Sequence, residues 1–314
     1  MSENVDLSKP KRLLVTGATG FVGEHLKSAA AAGTLGPVEF LAAPRGLDIR
    51  DADAVDSMVE QARPELVIHL AAQSFVPRSF AEPAETFQVN VLGTLNLLRS
   101  LTRRGFTGRM IYVSSGDVYG KVPETSMPVD ENVWPAPRNP YAASKVAAEQ
   151  LCLQWHRSEG LDVVVARPFN HIGPGQSRDF VIPSLAAQIV RIRAGIAPPQ
   201  VHAGDIDVTR DFTDVRDIVR AYGDLLRAGV SGATYVVGSG EERSIRDLLN
   251  TMAQIAGVAV EVVQDPEKMR PSEQRRMRAD PSRLIRDTGW QPGIPLRASL
   301  NDILEEAGNL LHPI

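Results

Sequence analysis

A glycine-rich turn between an apolar run and a helical pattern constrains the fold of this chain more than any other feature. The apolar run KRLLVT at 11–16 predicts a buried parallel strand, and Gly17, Gly20 and Gly23 follow it with G-x-x-G-x-x-G spacing. The first glycine permits a tight turn, the second lets the backbone approach a pyrophosphate at a helix N-terminus, and the third lets the helix pack on the strand. A plain strand-to-helix turn is the alternative, but the register of the glycines favours an α/β fold with a Rossmann-type doubly wound parallel sheet.

Apolar runs later in the chain extend the predicted sheet. Each is short and apolar, as buried parallel strands are. These runs lie at 38–43, 65–70, 109–114 and 163–166. Beyond Gly175 the alternation of strands and helices breaks, and the remaining segments predict a smaller lobe in the C-terminal part of the chain.

Charge and composition limit the class of protein. The net charge of −4 over 314 residues gives no general electrostatic attraction for nucleic acid or an anionic membrane surface. No apolar run reaches transmembrane length, and Met1–Pro10 is polar, without the apolar core of a signal peptide. The single cysteine, Cys152, excludes an internal disulfide and is expected to be a buried, inert thiol. We therefore expect a cytoplasmic protein with no nucleic-acid, membrane or metal partner.

The end of the second predicted strand bears on the choice of dinucleotide. An acid often stands there and binds the hydroxyls of the adenosine ribose, whereas this chain has Pro44 and Arg45. An arginine suits a 2′-phosphate, so the sequence favours NADP(H) over NAD(H), although a surface arginine without a ligand would look the same. Asp48 is predicted either to reach the adenine amine or to cap the helix that follows.

Tyr141 and Lys145 stand four residues apart in a predicted helix, after a turn at 137–140. Residues at this spacing share one helix face, so the ammonium is expected near the phenol. A positive charge favours the phenolate, and we expect Lys145 to draw the pKa of Tyr141 from about 10 toward neutrality. The spacing alone is common by chance, and its meaning depends on the rest of the chain.

Small and polar residues gather at the predicted strand ends, where doubly wound sheets bind ligands. They follow the third strand at 71–74 and the next strand at 114–117. In the loop at 167–176, His171 is the only histidine that the sequence places near a site, as a ligand contact or in a loop hydrogen bond. Asn90, inside a predicted helix, is expected to pack or to make a tertiary hydrogen bond.

The order of the motifs resembles that of one known superfamily. The glycine turn is followed by Leu-Ala-Ala at 70–72, Ser-Ser-Gly-Asp-Val-Tyr-Gly at 114–120, Tyr-x-x-x-Lys at 141–145 and Arg-Pro-Phe-Asn at 167–170. This series is similar to the nucleotide-sugar branch of the extended short-chain dehydrogenase/reductases, over nearly the whole chain.

Two segments, 169–176 and 205–212, are most similar to reductases of GDP-linked 4-keto-6-deoxy sugars, the sister enzymes of GDP-mannose 4,6-dehydratases. The resemblance implies NAD(P)H-dependent reduction of the C4 ketone of GDP-4-keto-6-deoxy-D-mannose to GDP-D-rhamnose. It also implies the catalytic residues Ser115, Tyr141 and Lys145. Tyr141 would donate a proton to the forming alkoxide, Ser115 would hydrogen-bond the same oxygen, and Lys145 would bind the nicotinamide ribose.

The resemblance implies binding residues as well. The positions that match cofactor contacts are Gly17, Thr19, Gly20, Phe21, Val22, Gly23, Arg45, Asp48, Ile49, Leu70, Ala71, Ala72, Tyr141, Lys145 and Pro168. The positions that match sugar and nucleotide contacts are Ser115, Gly116, Asn170, Arg210, Arg270 and Glu273, with Arg78 and Arg275 as further candidates. Arginine offers charge and planar donors for the two phosphates of GDP.

The choice between reduction and dehydration depends on the residues after Ser115. The dehydratases that this chain resembles usually have a glutamate two residues after the serine or threonine, where this chain has Asp117, with Gly116 between. Aspartate is one methylene shorter, and a misplacement of about 1 Å can cost about a hundredfold in rate. We therefore expect reduction without elimination, with Asp117 as a carboxylate that caps the next turn. The alternatives are a 4,6-dehydratase or 4-epimerase that keeps NAD bound, and a non-catalytic dinucleotide-binding sensor.

The expected architecture has two parts with the substrate between them. A Rossmann domain over 11–170, with interleaved segments from 208–240, would bind the cofactor. A smaller C-terminal α/β lobe made of 171–207 and 241–314 would bind the nucleotide sugar.

The predicted helices at 84–104 and 141–157 resemble the pair that forms a four-helix dimer interface in this superfamily. A homodimer is therefore expected. Their apolar stripes are equally compatible with faces that pack on the core.

Overall fold

The structure, a computed structural model, describes residues 10–268 and 274–311. In this part of the chain the strands are β1 Lys11–Thr16, β2 Val38–Ala42, β3 Leu66–His69, β4 Arg109–Val113, β5 Asp162–Pro168, β6 Asn170–Ile172, β7 Gln200–Ala203, β8 Thr209–Asp214, β9 Thr234–Val237, β10 Glu242–Ser244 and β11 Glu261–Gln264. The helices are α1 Phe21–Ala31, α2 Ala52–Ala62, α3 Val76–Ala81, α4 Pro83–Phe87, α5 Gly93–Arg103, α6 Pro140–Glu159, α7 Val181–Arg193, α8 Val215–Ala228, α9 Ile245–Ala256, α10 Ser282–Thr288 and α11 Leu296–Asn309.

Six strands form one parallel sheet in the order β2-β1-β3-β4-β5-β9. Every residue of β3 and β4 is buried, because helices cover both faces of the sheet. Helices α1 and α8 contribute to the core on one face, and α2, α5 and α6 contribute to the core on the other. The predicted doubly wound parallel sheet is confirmed.

A smaller lobe contains the sheets β10-β8-β6 and β11-β7. Its core is formed mainly by apolar residues of α7, α9 and α11. Strand β8 belongs to this lobe, whereas β9 joins the large sheet and α8 covers it. The division of the chain into the two domains given above stays a prediction.

The glycine turn lies at the point where the strand order of the sheet reverses. Strand β1 has β2 on one side and β3 on the other, and a crevice opens at the carboxyl ends of strands at such a point. Gly17 has a φ of 71°, and a Cβ there would lie 2.8 Å from the amide nitrogen of Ala71. A Cβ at Gly23 would lie 2.5 Å from the carbonyl oxygen of Ala18, so this glycine allows α1 to approach the turn itself rather than the strand.

The long helix predicted at 84–104 is interrupted. Helix α4 ends at Phe87, a π-helical turn covers Gln88–Leu92, and α5 begins at Gly93. The apolar period of the sequence continues through the turn, so periodicity alone did not reveal it.

Cys152 is fully buried in α6 as a free thiol, which confirms the expectation. Burial raises the pKa of this thiol well above its usual value, so the reactive thiolate is disfavoured. Among the described residues, no helix combines the length and apolarity required to cross a membrane.

Candidate active site

The carboxyl ends of the central strands and the start of α6 converge on one edge of the large sheet. Helix α6 begins after Asn139, whose side chain accepts a hydrogen bond from the amide of Ala142 at 2.7 Å, and Pro140 occupies the first helical position. This start places Tyr141 and Lys145 in the first two turns of the helix, beside the end of β4.

Lys145 is a buried cation at the end of β4. Its Nζ donates to the carbonyl oxygen of Val113 at 2.8 Å and lies 5.2 Å and 5.9 Å from the ring centroids of Tyr112 and Tyr141. Burial lowers the pKa of Lys145 to about 8, while the carboxylate of Glu149 acts in the opposite direction. The ammonium and the phenol share one helix face, as their spacing predicts.

Tyr141 is held as a neutral phenol. Only 8% of the residue is exposed, and burial raises the pKa of Tyr141 well above its usual value. The carboxylate of Asp117 raises it further, and a hydrogen bond with Ser115 acts in the opposite direction. The expectation that Lys145 draws this pKa toward neutrality is wrong, because desolvation of the phenolate dominates. A phenol that stays protonated at neutral pH is suited to donate a proton.

A buried ion pair lies one helical turn beyond Lys145. Glu149 is fully buried and accepts two hydrogen bonds from the guanidinium of Arg167, at 3.0 Å and 2.7 Å. The same guanidinium donates to the hydroxyl of Tyr119 at 3.0 Å, so the network joins α6, β5 and the turn after β4. Glu149 was not among the residues predicted from the sequence, although its spacing of eight residues from Tyr141 places it on the same helix face.

The turn after β4 is organised by Ser115. Its Oγ accepts a hydrogen bond from the amide of Asp117 at 3.1 Å, so Ser115 caps this 3₁₀ turn and the capping role expected for Asp117 is wrong. Asp117 is exposed in the cleft, yet enough protein surrounds it that desolvation raises its pKa, against the effect of Arg210. A Cβ at Gly116 would lie 3.0 Å from the ring of Phe169, so that ring fills the space a second acid would need.

The glycine turn presents its backbone to solvent. Thr19 and Gly20 are exposed, and among the described residues no side chain caps the start of α1 at Phe21. The first amides of this helix are therefore available to an anion. Val22 and the residues at 70–72 are half-buried in and beside the turn.

Phe21 connects the glycine turn to β6, the strand that occupies part of the loop predicted at 167–176. Its ring stacks on His171 with centroids 6.0 Å apart and meets His25 edge to face at 5.3 Å. Nδ1 of His171 donates to the carbonyl oxygen of Phe169 at 3.0 Å, and Nε2 of His25 donates to that of Pro174 at 2.8 Å. His171 thus makes the loop hydrogen bond, one of its two predicted roles, and burial lowers its pKa.

Arg45 is exposed in a tight turn just beyond β2. The amide of Leu47 donates to the carbonyl oxygen of Pro44 at 3.1 Å, and Gly46 has a φ of 82°. The contact of Arg45 with a 2′-phosphate stays a prediction.

The carboxylate of Asp48 is hydrogen-bonded by Arg50 and not by the first amides of α2. Hydrogen bonds from the side chain and amide of Arg50 lower the pKa of Asp48 to about 2. The helix cap is Asp51, whose carboxylate accepts from two amides of the first turn at 3.0 Å, so the predicted capping role of Asp48 is wrong. Ile49 is buried in the core beside α5, and its contact with the cofactor stays a prediction.

Two of the predicted substrate residues, Asn170 and Arg210, lie on the small sheet β10-β8-β6. Asn170 opens β6 and is exposed, and Arg210 lies on the neighbouring β8. The guanidinium of Arg210 donates to the carbonyl oxygens of Thr209 and Gln274 at 2.7 Å and 3.0 Å, and burial lowers its pKa. Pro168, a predicted cofactor residue, is buried at the end of β5.

Four other predicted substrate contacts have different outcomes. Arg78 and Arg275 each form an ion pair with an acidic residue, at 2.8 Å and 3.0 Å. Arg270 and Glu273 lie outside the described residues.

His69 and Asn90 lie behind the cleft. His69 ends β3, is 1% exposed and is hydrogen-bonded at both ring nitrogens, so the expectation that His171 is the only histidine near the site is wrong. The sequence signal was a histidine at the end of an otherwise apolar strand. Asn90 donates to Oγ of Ser144 at 2.9 Å, which confirms the expected tertiary hydrogen bond.

Known proteins are similar to this chain in sequence and in fold. The family described as GDP-mannose 4,6 dehydratase matches residues 44–303. A GDP-6-deoxy-D-mannose reductase of Pseudomonas aeruginosa is 51% identical over 94% of this chain and 97% of its own length. A dTDP-glucose 4,6-dehydratase of Streptomyces antibioticus is 34% identical over 89% of this chain and 87% of its own length. A solved structure of RMD from Pseudomonas aeruginosa complexed with NADPH matches with a TM-score of 0.91 and 50% identity, over 96% of this chain and 98% of that one.

Replacing Glu149 with Gln tests the buried ion pair. We expect the free energy of unfolding to fall by about 3–5 kcal/mol, because Arg167 is left buried without its counter-ion. Urea denaturation measures the change. Glu159→Gln, the same substitution at the exposed end of α6, is the matched control and should stay within about 0.5 kcal/mol of the unmodified protein. Equal effects of the two substitutions would contradict the role given to this pair.

Proposed function

Because the chain belongs to the nucleotide-sugar family of extended short-chain dehydrogenase/reductases that includes GDP-mannose 4,6-dehydratase, we propose that it reduces the C4 ketone of GDP-4-keto-6-deoxy-D-mannose to GDP-D-rhamnose with NADPH. The observation that carries the proposal is the 51% identity to a GDP-6-deoxy-D-mannose reductase along 94% of the chain. The protonated phenol of Tyr141, with Ser115 and the ammonium of Lys145 beside it, suits this chemistry.

The residues at the ends of β1 to β4 fit a dinucleotide. Gly17 packs directly against the backbone of Ala71, so the turn stays tight, and the uncapped start of α1 offers amides to a pyrophosphate. When bound, NADPH supplies the hydride. Lys145 would hold the nicotinamide ribose, and the other cofactor residues are those named from the sequence.

Tyr141 is the proposed proton donor. Its raised pKa keeps the proton on the phenol until charge develops on the C4 oxygen, and Ser115 would donate a hydrogen bond to the same oxygen. Once the proton has left, the phenolate is stabilised by Ser115 and by the ammonium of Lys145 one turn away. Charge on Lys145 is therefore required even though it does not set the resting state of Tyr141.

Reduction is favoured over elimination by the turn after β4. Elimination requires an acid and a base near C5 and C6 of the sugar, whereas Gly116 has no side chain and Phe169 fills the space beside it. The only acid in this turn is Asp117, which is shorter than the glutamate of the similar dehydratases. A 4,6-dehydratase is the second candidate, because a dTDP-glucose 4,6-dehydratase is 34% identical.

NADPH is the proposed cofactor because of Arg45. The turn that carries Arg45 lies at the carboxyl end of β2, where a 2′-phosphate of the adenosine ribose would lie. The similar structure of RMD is complexed with NADPH, which supports the choice.

Arginines of the smaller lobe would bind the GDP group. We assign the diphosphate to Arg210 and Arg270, the sugar to Asn170, and the ribose hydroxyls to Glu273. Burial of Arg210 strengthens its interaction with an anion, because water screens the charge less effectively there.

Helices α4 to α6 carry the proposed dimer interface. Trp155 of α6 donates from Nε1 to Thr102 of α5 at 3.1 Å, so the helices form one surface. Phe80 of α3, Phe87 of α4 and Leu92 of the π-helical turn before α5 are 62%, 39% and 50% exposed. Two copies of this surface would make a four-helix bundle that covers these side chains.

Turnover tests the proposed reaction directly. With GDP-4-keto-6-deoxy-D-mannose we expect oxidation of NADPH, faster than that of NADH at equal concentration, followed by the absorbance of the reduced nicotinamide. Tyr141→Phe should lose about 10²–10⁴-fold in kcat and still bind NADPH, because only the proton donor is removed. Failure to oxidise NADPH with this sugar, or efficient conversion of GDP-mannose, would refute the proposal. Unchanged behaviour of Tyr141→Phe would indicate a sensor.

The lowered pKa of Lys145 predicts an alkaline limit to activity. Below a pH of about 8 the amine is protonated, and above it the charge that stabilises the phenolate is lost, so kcat/KM for NADPH should fall as the pH rises through 8. Lys145→Arg retains its charge and should show a lower but flat profile between about pH 7 and 9.5. A flat profile for the unmodified protein, or the same alkaline limb in Lys145→Arg, would count against this role.

Light scattering after size exclusion tests the dimer. The unmodified protein should have twice the 34.1 kDa mass of the chain. Leu92→Glu should be monomeric, because a carboxylate would be buried at the interface. Leu310→Glu, at a 60% exposed leucine of the smaller lobe, is the control and should stay dimeric. A monomeric unmodified protein would rule the interface out.

A further inference from the structure

Polar side chains replace apolar ones at the carboxyl ends of three neighbouring strands. Thr16 lies in register with His69, and His69 lies in register with Tyr112. All three are 1% exposed, and two residues earlier the same face of each strand is apolar. This row faces α5 and α6, directly behind the proposed active site.

The hydrogen bonds of this row fix the proton on His69. The hydroxyl of Thr94 donates to the carbonyl oxygen of Asn90 at 2.6 Å, so it must accept from Nε2 of His69 at 3.0 Å. Nε2 therefore carries the proton, and Nδ1 accepts from the hydroxyl of Thr16 at 2.6 Å. Thr16 in turn accepts from the amide of Ala71 at 3.3 Å. The result is one directed chain of four hydrogen bonds through a single neutral imidazole.

The surroundings of His69 exclude the charged form. Thr16 of β1, Tyr112 of β4 and Thr94 of α5 face the ring, and none of them carries a charge at neutral pH. Burial lowers the pKa of His69 to about 3, and the positive charge of Lys145 acts in the same direction. A second cation here would be buried beside the first without a counter-ion.

Both ends of this hydrogen-bond chain lie next to the proposed active site. One end holds the amide of Ala71 in the segment after β3. The other holds the backbone of Asn90, whose side chain accepts from the amide of Gln73 at 2.7 Å and donates to Ser144 at 2.9 Å. Ser144 is the residue before Lys145, so the same chain reaches the segment after β3 and the catalytic helix.

We propose that His69 is a positioning residue that couples the segment at 71–73, which includes the predicted cofactor residues Ala71 and Ala72, to the helix that carries Tyr141 and Lys145. It acts as a neutral relay with its proton on Nε2 and touches neither the sugar nor the reacting atoms. The inference rests on the proposed function, in which Ala71 and Ala72 border the cofactor.

A double-mutant cycle tests the relay. Thr16→Val and Thr94→Val each remove one hydroxyl. They interrupt the hydrogen-bond chain on opposite sides of His69. Each should raise the dissociation constant for NADPH and lower kcat, with a loss of about tenfold in kcat/KM, and leave KM for the sugar nearly unchanged. The loss in kcat/KM of the double variant should be about the same as that of either single variant, because both substitutions interrupt the same hydrogen-bond chain.

A matched control separates positioning from simple loss of stability. Val67→Ala removes methyl groups from the same strand and face, so it should lower the melting temperature without changing kcat or NADPH binding by more than about twofold. Multiplied effects in the double variant, or equal kinetic effects of Val67→Ala, would overturn the proposal.

Nitrogen NMR of the imidazoles provides a test that needs no turnover. The sequence has six histidines, and the resonances of His69 are identified by their loss in His69→Gln or, if that variant does not fold, by their shift in Thr94→Val. A neutral ring protonated on Nε2 from pH 5.5 to 9 is the expected result. A proton on Nδ1, or a charged ring, would overturn the relay. NADPH binding and this tautomer remain measurable if the protein reduces a different substrate, so failure of the proposed function is distinguishable from failure of this inference.

Discussion

The ammonium of Lys145 is buried at the end of β4, and its neighbours are arranged around that charge. Removing a cation from water costs several kcal/mol unless polar or aromatic groups compensate. Here the carbonyl oxygen of Val113 accepts its proton at 2.8 Å, and two tyrosine rings lie within 6 Å. The carboxylate of Glu149 adds favourable charge, but it is itself buried and is stabilised by the guanidinium of Arg167. On the other side the nearby imidazole of His69 stays neutral.

This arrangement accounts for the direction of the chemistry. Burial keeps Tyr141 protonated, so the site is prepared to give a proton rather than to take one. The ammonium contributes after the transfer, when it stabilises the phenolate. The adjoining turn limits the reaction further, because Phe169 fills the space beside Gly116 in which another acid could stand. Proton donation without a well-placed second acid suits reduction of a ketone and does not suit elimination.

Local motifs made much of the fold and part of the site predictable. The glycine turn after β1 and the spacing of Tyr141 and Lys145 involve residues close in the chain, so elementary geometry was sufficient. Long-range pairs were not accessible in the same way. The pairing of Thr16 with His69 joins residues 53 apart, and it depends on which strands become neighbours in the sheet.

Competition between nearby groups explains the other errors. Capping of α2 was one of two roles predicted for Asp48, but Asp51 caps the helix and Arg50 binds the carboxylate of Asp48. The pKa of Tyr141 was judged from one neighbouring charge, whereas desolvation, which depends on the whole surrounding structure, determined its direction.

The fate of a labelled hydride tests the central claim most directly. A sample of the protein is mixed with GDP-4-keto-6-deoxy-D-mannose and NADPH that carries deuterium at the transferred position, and the sugar is examined by NMR. The account predicts deuterium at C4, with one NADPH oxidised for each sugar reduced. Deuterium at C6, or conversion of a sugar without net oxidation of the cofactor, would contradict it.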